Sequence, residues 1–298
     1  GSRGGSRVSL HDIGYTSGAV GAAVRHAISG AGVPVRVANA GRWPRRASRL
    51  TDSAGRLVAA AIHSVRAVPR DQLGYVVAAA KGRPLHVHLS EQPAENEACQ
   101  RFYGMTPTAL LEGEGVLGPL TSAVHATHLT QEDIATLGHT RTTVCLCPTT
   151  ERDLADGIGP GRKLHDAGSP LSLGSDQHAV IDLLEEARAL EMDERLDSLQ
   201  RGRFGLDELL SAATRHDSLG WDDAGRLEVG ARADLVAVRL DSPRTAGSDP
   251  RQIILTATAS DVDTVIVDGR TVVSGGQHRL GHVGALLQRA IEPLWESS

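Results

Sequence analysis

No run in this sequence approaches the roughly 18 apolar residues that a membrane-spanning helix needs, so no membrane span is expected. Basic charge is also short: 31 Lys and Arg against 36 Asp and Glu give a formal charge of -5. That balance offers no basic surface for nucleic acid or anionic lipid. Cysteine is scarce and odd in number. Cys99, Cys145 and Cys147 make no disulfide framework, and Cys145-Leu-Cys147 lacks the two-residue gap of the usual zinc or redox pair. The three read as reduced, buried thiols of a cytoplasmic protein. The opening Gly1-Ser-Arg-Gly-Gly-Ser-Arg7 carries no secretory signal pattern and reads as a tag scar or ragged beginning. Aromatic residues are few as well: two Phe, three Trp and three Tyr, against 13 histidines. Several of those histidines end apolar runs, a distribution that favours a site over a solvated face.

What is present is organised around Leu85-His-Val-His-Leu-Ser-Glu-Gln92. His86 and His88 alternate with Val87 and Leu89, so on the two-residue period of a strand both imidazoles share one face. Glu91 falls just past the strand end, and a helical run from Ala94 towards Tyr103 follows. Strand, polar loop and helix are the repeating unit of an α/β domain. The same unit recurs along the chain. Leu57 to Ile62 delivers His63-Ser-Val-Arg66 before a helix start around Pro69. Ala123 to His128 holds His125, and Thr130 then caps a helix. Thr142 to Cys147 is a strand that runs out into Pro148 to Asp153, and Pro170 to Gly174 delivers Ser175-Asp176-Gln177-His178. Earlier candidates are Val8 to Leu10 ending at His11, a helix over 17–30 and a strand over 33–38.

At roughly 30 residues per βα unit, His88 and His125 are one unit apart, and two shorter units separate His125 from Asp176. If Asp176 ends strand eight of a (β/α)8 barrel, His125 ends six, His88 five, His63 four, Ala38 three and His11 two. Strand one is then missing. From Gly225 the pattern changes to β-branched alternation with a hairpin signal at Asp268-Gly269, followed by a terminal helix over Val283 to Trp295. The expected organisation is a barrel over residues 1–224, incomplete at its start, and a small β module with a helix over 225–298.

A hydrolytic metal centre needs nitrogen and carboxylate ligands with a position left open for water, and an acid/base nearby. His88, Glu91, His125 and Asp176 supply those groups from three strand ends of one rim. Taken singly, His125 also reads as a core histidine, Asp176 as a helix cap and Arg66 as a surface ion pair. His86, His128 and His178 read as residues supporting the ligands or as structural ones, rather than as ligands.

The motifs His88-x-x-Glu91, Val124-His125-Ala-Thr-His128, Gly174-Ser-Asp176-x-His178 and Gly225-x-Leu-x-Val-Gly-x-x-Ala-Asp-Leu-Val236 resemble the amidohydrolase superfamily. His63-Ser-Val-Arg66-Ala-Val68, His86-Val-His-Leu-Ser-Glu-Gln92, Cys147-Pro-Thr-Thr-Glu-Arg-Asp-Leu-Ala-Asp-Gly157 and Arg244-Thr-Ala-Gly247 are similar, more closely, to the formimidoylglutamate deiminases of histidine degradation. That resemblance runs from about Ala60 to the C-terminus. It implies a TIM-type amidohydrolase barrel and one zinc per chain held by His88 and Asp176. It further implies Glu91, His125 and Asp176 as catalytic groups, with His63 and Arg66 as contacts to substrate carboxylates. The implied reaction is hydrolysis of N-formimino-L-glutamate to N-formyl-L-glutamate and ammonia by a small-molecule enzyme, for which a homo-oligomer is an open option. The alternatives are another amidohydrolase, acting as a deaminase, and a non-catalytic barrel remnant.

The sequence departs from the family pattern in places. Its only His-x-His pair is His86-Val-His88, whereas the family carries a ligand pair on strand one; Gln177 replaces a serine; Arg215-His-Asp replaces a glycine-containing turn. The chain alone is therefore expected to be an incompetent zinc hydrolase.

Overall fold

Six parallel strands make the main sheet. The computed structural model describes residues 8–14, 56–80, 82–177 and 180–296. Within them the strands are β1 (Val8–Gly14), β2 (Arg56–Ile62), β3 (Leu85–Leu89), β4 (Thr121–His125), β5 (Thr143–Leu146) and β6 (Leu171–Leu173), paired in chain order. Every pairing is parallel, so all carboxyl ends lie on one side. In β2, Val58 to Ile62 are buried without interruption, as a parallel strand covered on both faces requires. In β3 the alternation expected from sequence is observed: Leu85, Val87 and Leu89 are buried, His86 and His88 half-buried.

Helices α1 (Arg70–Ala80), α2 (Pro93–Tyr103), α3 (Pro107–Gly113), α4 (Gln131–His139), α5 (Pro148–Asp153), α6 (Gly161–Ala167), α7 (Leu183–Ser198) and α8 (Leu206–Ala213) follow the strands. Their boundaries are chemical. Thr130 accepts from the Asp133 N–H while the Asp133 carboxylate accepts from the Thr130 N–H, a reciprocal capping box that starts α4. Gly104, at φ 69°, ends α2 in the left-handed conformation that glycine adopts without penalty. Leu89, Leu110, Leu137, Leu146, Leu164 and Leu209 are wholly buried in one core cluster drawn from sheet and helices. Two of these helices touch through backbone: a Cβ on Gly138 of α4 would fall 2.1 Å from the Ala167 carbonyl oxygen of α6. Only glycine allows that approach.

The structure corrects the strand numbering. β1 is bonded directly to β2, residue for residue from Val8 opposite Arg56 to Gly14 opposite Ile62. The sheet position reserved for a third strand over 33–38 is thus occupied by the first one. The proposed strand over 33–38 and helix over 17–30 lie outside the described residues. Among the described residues the sheet ends at β1 and β6, so the expected closed barrel is represented by an open run of six strands. Pro148 to Asp153, read as the tail of a strand, is helix α5 with proline in its first turn. Helices α7 and α8 had no counterpart in the sequence reading.

A second, antiparallel sheet has the order β10, β9, β8, β7, built from β7 (Leu235–Val238), β8 (Val262–Val267), β9 (Arg270–Ser274) and β10 (Gln277–His278). Asp268 (φ 55°) and Gly269 (φ 72°) form the β8–β9 turn with both central residues left-handed, as a two-residue hairpin of type I′ requires. Residues 225–234 alternate in sequence, yet the first strand of this sheet starts only at Leu235. Arg244 has a local task here: its guanidinium donates from Nε and Nη2 to the fully buried Asp261 carboxylate, each at 2.8 Å. A short helix, α9 (Ile253–Thr256), precedes β8, and the expected terminal helix is α10 (Val283–Glu296).

Candidate active site

The carboxyl ends of β2 to β6 gather the residues singled out by sequence. His63 follows β2, His88 is the penultimate residue of β3, His125 closes β4 and Asp176 lies beyond β6. Ser90 (φ 48°), His125 (φ 69°), Ala126 (φ 52°) and Asp176 (φ 38°) all adopt the left-handed region without being glycine. Each costs on the order of 1 kcal/mol or more, and such strain clusters where a side chain must be aimed. The aim is evident. The His88 and His125 rings stack with centroids 5.5 Å apart at 18°, and His63 tilts against His88 at 5.1 Å.

His88 donates from Nδ1 to the His63 carbonyl at 2.7 Å, which fixes the tautomer with Nε2 unprotonated, the state in which imidazole binds a metal. His125 is 1% exposed. Its Nδ1 donates to Glu151 Oε1 at 3.3 Å, and its Nε2 is buried without a hydrogen-bond partner, 3.8 Å from Glu91 Oε1 and 4.0 Å from Asp176 Oδ2. An orphaned buried nitrogen between two carboxylates is where a cation or a reacting proton is needed. The donors His88 Nε2 and Asp176 Oδ2 therefore fit a divalent metal such as zinc, while a proton on His125 Nε2 answers the two carboxylates beside it. A second grouping also meets the geometry of a metal site: one ligand atom each from His125, Cys147 and Glu151 lie within 4.8 Å of one another. In that group Glu151 Oε1 already accepts the Cys147 N–H at 2.8 Å and the His125 Nδ1–H. Its present task is to orient the imidazole.

Arg66 is not a surface ion pair. It is nearly buried, donates from Nη2 to Glu91 Oε2 at 2.7 Å and from Nε to Ser64 Oγ at 3.2 Å, and lies 3.7 Å from Glu95 Oε2 through Nε. The sequence reading assigned this guanidinium to substrate, but here it holds the expected acid/base carboxylate. Burial alone would raise the pKa of Glu91; the charges of His125 and Arg66 outweigh it and hold Glu91 below the usual carboxylate range. Burial first, and then the neighbouring His88 and Arg66, lower His63 to about 4, so His63 meets a ligand as a neutral imidazole. Burial likewise lowers His88. For His125, burial is outweighed by the Glu151 hydrogen bond and the Glu91 charge, and the imidazolium is favoured.

The histidines read as supporting or structural are so where they are described. His86 donates to the Ser218 carbonyl at 2.8 Å and His128 to the Asp156 carbonyl at 2.7 Å; His178 lies outside the described residues. Gln177 donates to Asp153 at 2.5 Å. The sequence reading missed Glu151 and Glu95, although Glu151 sits in the quoted Cys147-Pro-Thr-Thr-Glu motif. A recess of about 780 Å³ bounded by Leu57, Pro84, Leu120, Thr143, Pro170 and Arg215 opens at the opposite, amino-terminal ends of the strands. The titratable groups converge at the carboxyl ends, where α/β sheets place chemistry, so that recess is not the catalytic cleft.

Comparison with known proteins fits this geometry. The model of the amidohydrolase family matches residues 42–272. The chain is 36% identical to the 8-oxoguanine deaminase of Pseudomonas aeruginosa, over 72% of this chain and 49% of that protein. It is 32% identical to the formimidoylglutamate deiminase of the same organism, over 76% and 53%. A zinc-bound adenosine deaminase structure from Xanthomonas campestris superposes with a TM-score of 0.79 at 25% identity, covering 85% of this chain and 61% of that one. The chain thus spans about half the length of the curated relatives it matches. On the family match, which covers most of its length, the chain belongs to the amidohydrolase family.

Proposed function

We propose that this chain carries the catalytic rim of a metal-dependent deaminase that hydrolyses N-formimino-L-glutamate to N-formyl-L-glutamate and ammonia in the cytoplasm. The observation that carries the substrate assignment is a nearly buried guanidinium, Arg66, beside a neutral His63. A guanidinium in a dry site matches a carboxylate better than a purine. In this reading His88 and Asp176 hold one zinc ion, and residues 1–224 form the barrel that 225–298 flank. When bound, zinc supplies Lewis-acid activation of water and of the carbon–nitrogen bond.

The chain's own residues do the rest. Glu91, ionised at neutral pH, accepts a proton from water as its oxygen bonds to the formimino carbon and passes it to the departing nitrogen; the proton of the new hydroxyl follows, the carbon–nitrogen bond breaks, and ammonia leaves as the formyl carbonyl forms. Arg66 keeps that carboxylate charged until it takes the proton. His125, oriented by Glu151, offers Nε2–H to the electron-rich side of the scissile bond. Asp176 stands 4.0 Å from that nitrogen as a further acceptor.

A second reading, an aminopurine deaminase, is favoured by the 36% identity to 8-oxoguanine deaminase. Calorimetric binding of N-formimino-L-glutamate, 8-oxoguanine and adenosine to the zinc-supplemented chain separates the two without requiring turnover by the chain alone. Preference for the formimino acid is expected, with Arg66→Ala raising its dissociation constant while metal content stays the same. Binding of a purine and not of the formimino acid would overturn the assignment.

A further inference from the structure

Glu95, on the first turn of α2, is a carboxylate with no place in the mechanism above. Its side chain is wholly buried. Oε2 accepts the Glu91 N–H at 3.4 Å and faces Arg66 Nε at 3.7 Å, while Oε1 has no partner among the described residues. Arg66 therefore stands between two carboxylates, Glu91 at Nη2 and Glu95 at Nε, with Ser64 Oγ also at Nε. Its Nη1 has no hydrogen-bond or ion-pair partner among the described residues and is the donor left for a ligand.

One guanidinium cannot balance three carboxylates around it in a nearly dry site, and the other charge nearby, His125, already faces both Glu91 and Glu151. If a substrate carboxylate arrives at Nη1, either Glu91 or Glu95 has to be neutral. Glu91 is held ionised by a 2.7 Å charge-assisted bond and by His125. Glu95 has the longer contact, deeper burial and an oxygen with no donor, so it is the one to carry the proton. We infer that Glu95 is a positioning residue whose protonated form releases Arg66 to accept a substrate carboxylate, making acidic ligands bind more weakly as pH rises while neutral ligands are unaffected. This rests on the reading of Arg66 as the substrate-carboxylate contact.

The surroundings agree. Burial, reinforced by the Glu91 charge and opposed by Arg66, raises Glu95 to about 7. The groups facing it are Arg66 from the β2–α1 loop, Glu91 and the Ser90 N–H from the β3–α2 loop, and Cys99 one turn along α2. Burial pushes Cys99 up to about 12, so it stays neutral. Asp133 of α4, next beyond Cys99, is engaged by Thr106 and the Thr130 N–H.

The test is calorimetric binding of N-formyl-L-glutamate, a dicarboxylate without an amine, to the zinc-supplemented full chain at about pH 6 and about pH 8.5. For the wild type the dissociation constant should rise roughly tenfold or more over that range, as expected for a ligand that needs a proton on a group near 7. Glu95→Gln, neutral at every pH, should bind with no such slope, and Arg66→Ala should bind poorly throughout. Equal slopes in the wild type and Glu95→Gln, with Arg66→Ala still weak, overturn the role of Glu95 and leave Arg66 standing. Undiminished binding by Arg66→Ala overturns the carboxylate reading and this inference with it. If Glu95→Gln does not fold, infrared difference titration of the wild type decides. A protonated-carboxyl band that disappears through neutral pH and is restored by N-formyl-L-glutamate supports the role, and its absence refutes it.

Discussion

Glu95→Gln should change how stability depends on pH, independently of any substrate. The native carboxyl titrates near 7 because burial disfavours its charge, against an ordinary 4.5 in the unfolded chain. Between these two values the native state holds a proton that the unfolded state has lost. A group of this kind contributes stability in full below its unfolded pKa, and the contribution is lost as pH rises through the folded pKa. At about 1.4 kcal/mol for each pH unit between the two, the wild type forfeits about 3 kcal/mol between mildly acidic and mildly alkaline solution. The side chain is wholly buried, so solvent screening does not reduce that figure. Glutamine keeps the shape and an acceptor for the Glu91 N–H but cannot ionise. The assay is urea denaturation of both proteins across that range. Subtracting the two curves removes every other titrating group, and the stability of the wild type relative to the variant should fall steadily as pH rises. A flat difference would show that Glu95 titrates normally and that its burial is not felt as a desolvation cost.

Glu151→Gln should move the His125 titration to lower pH in an NMR titration, because the hydrogen bond and charge that favour its imidazolium are lost; an unchanged titration would show that Glu151 does not hold the ring. Gly138→Ala should destabilise the chain by about 1–3 kcal/mol or more, because the new methyl meets the Ala167 backbone and not a flexible side chain; a neutral effect on the melting temperature would mean that α4 and α6 are further apart. Thr130→Ala should cost about 1 kcal/mol through loss of the α4 capping box, read in the same denaturation assay.

Local chemistry made some of this architecture legible in the sequence. The Leu85 to Leu89 alternation, the Thr130 cap and the Asp268-Gly269 turn each follow from the stereochemistry of a few adjacent residues, and each is where it was expected. The rim itself was legible because His63, His88, His125 and Asp176 all terminate apolar runs of parallel strands. Contacts across distant segments were not. The Arg66–Glu91 pair joins residues 25 apart and the His125–Glu151 pair joins residues 26 apart, and no periodicity encodes either. Glu95 was invisible for another reason: a glutamate in the first turn of a helix is ordinarily a solvated partner of the helix dipole, and only the fold buries it. Helix α5 was hidden by Cys147-Pro148, where a proline that favours the first helical turn was taken to close a strand.

The Arg66–Glu91 pair bears on which substrates the proposed rim admits. Without ligand, the guanidinium is neutralised internally by Glu91, so the site bears no unpaired buried cation and no large desolvation penalty. An acidic substrate has to share that guanidinium, and the geometry permits sharing because Nη1 remains open while Nη2 holds Glu91. A neutral substrate leaves the pair intact and still finds Glu91 ionised, ready to take a proton. In the proposed reading the chemical step draws on the metal with Glu91, His125 and Asp176, and selection among substrates is assigned to Arg66 and the carboxylate behind it. On that reading catalysis and selection meet in one ion pair, so a substitution at Arg66 is expected to disturb both, while a substitution at Glu95 is expected to reach selection through Arg66 and to leave Glu91, His125 and Asp176 in place.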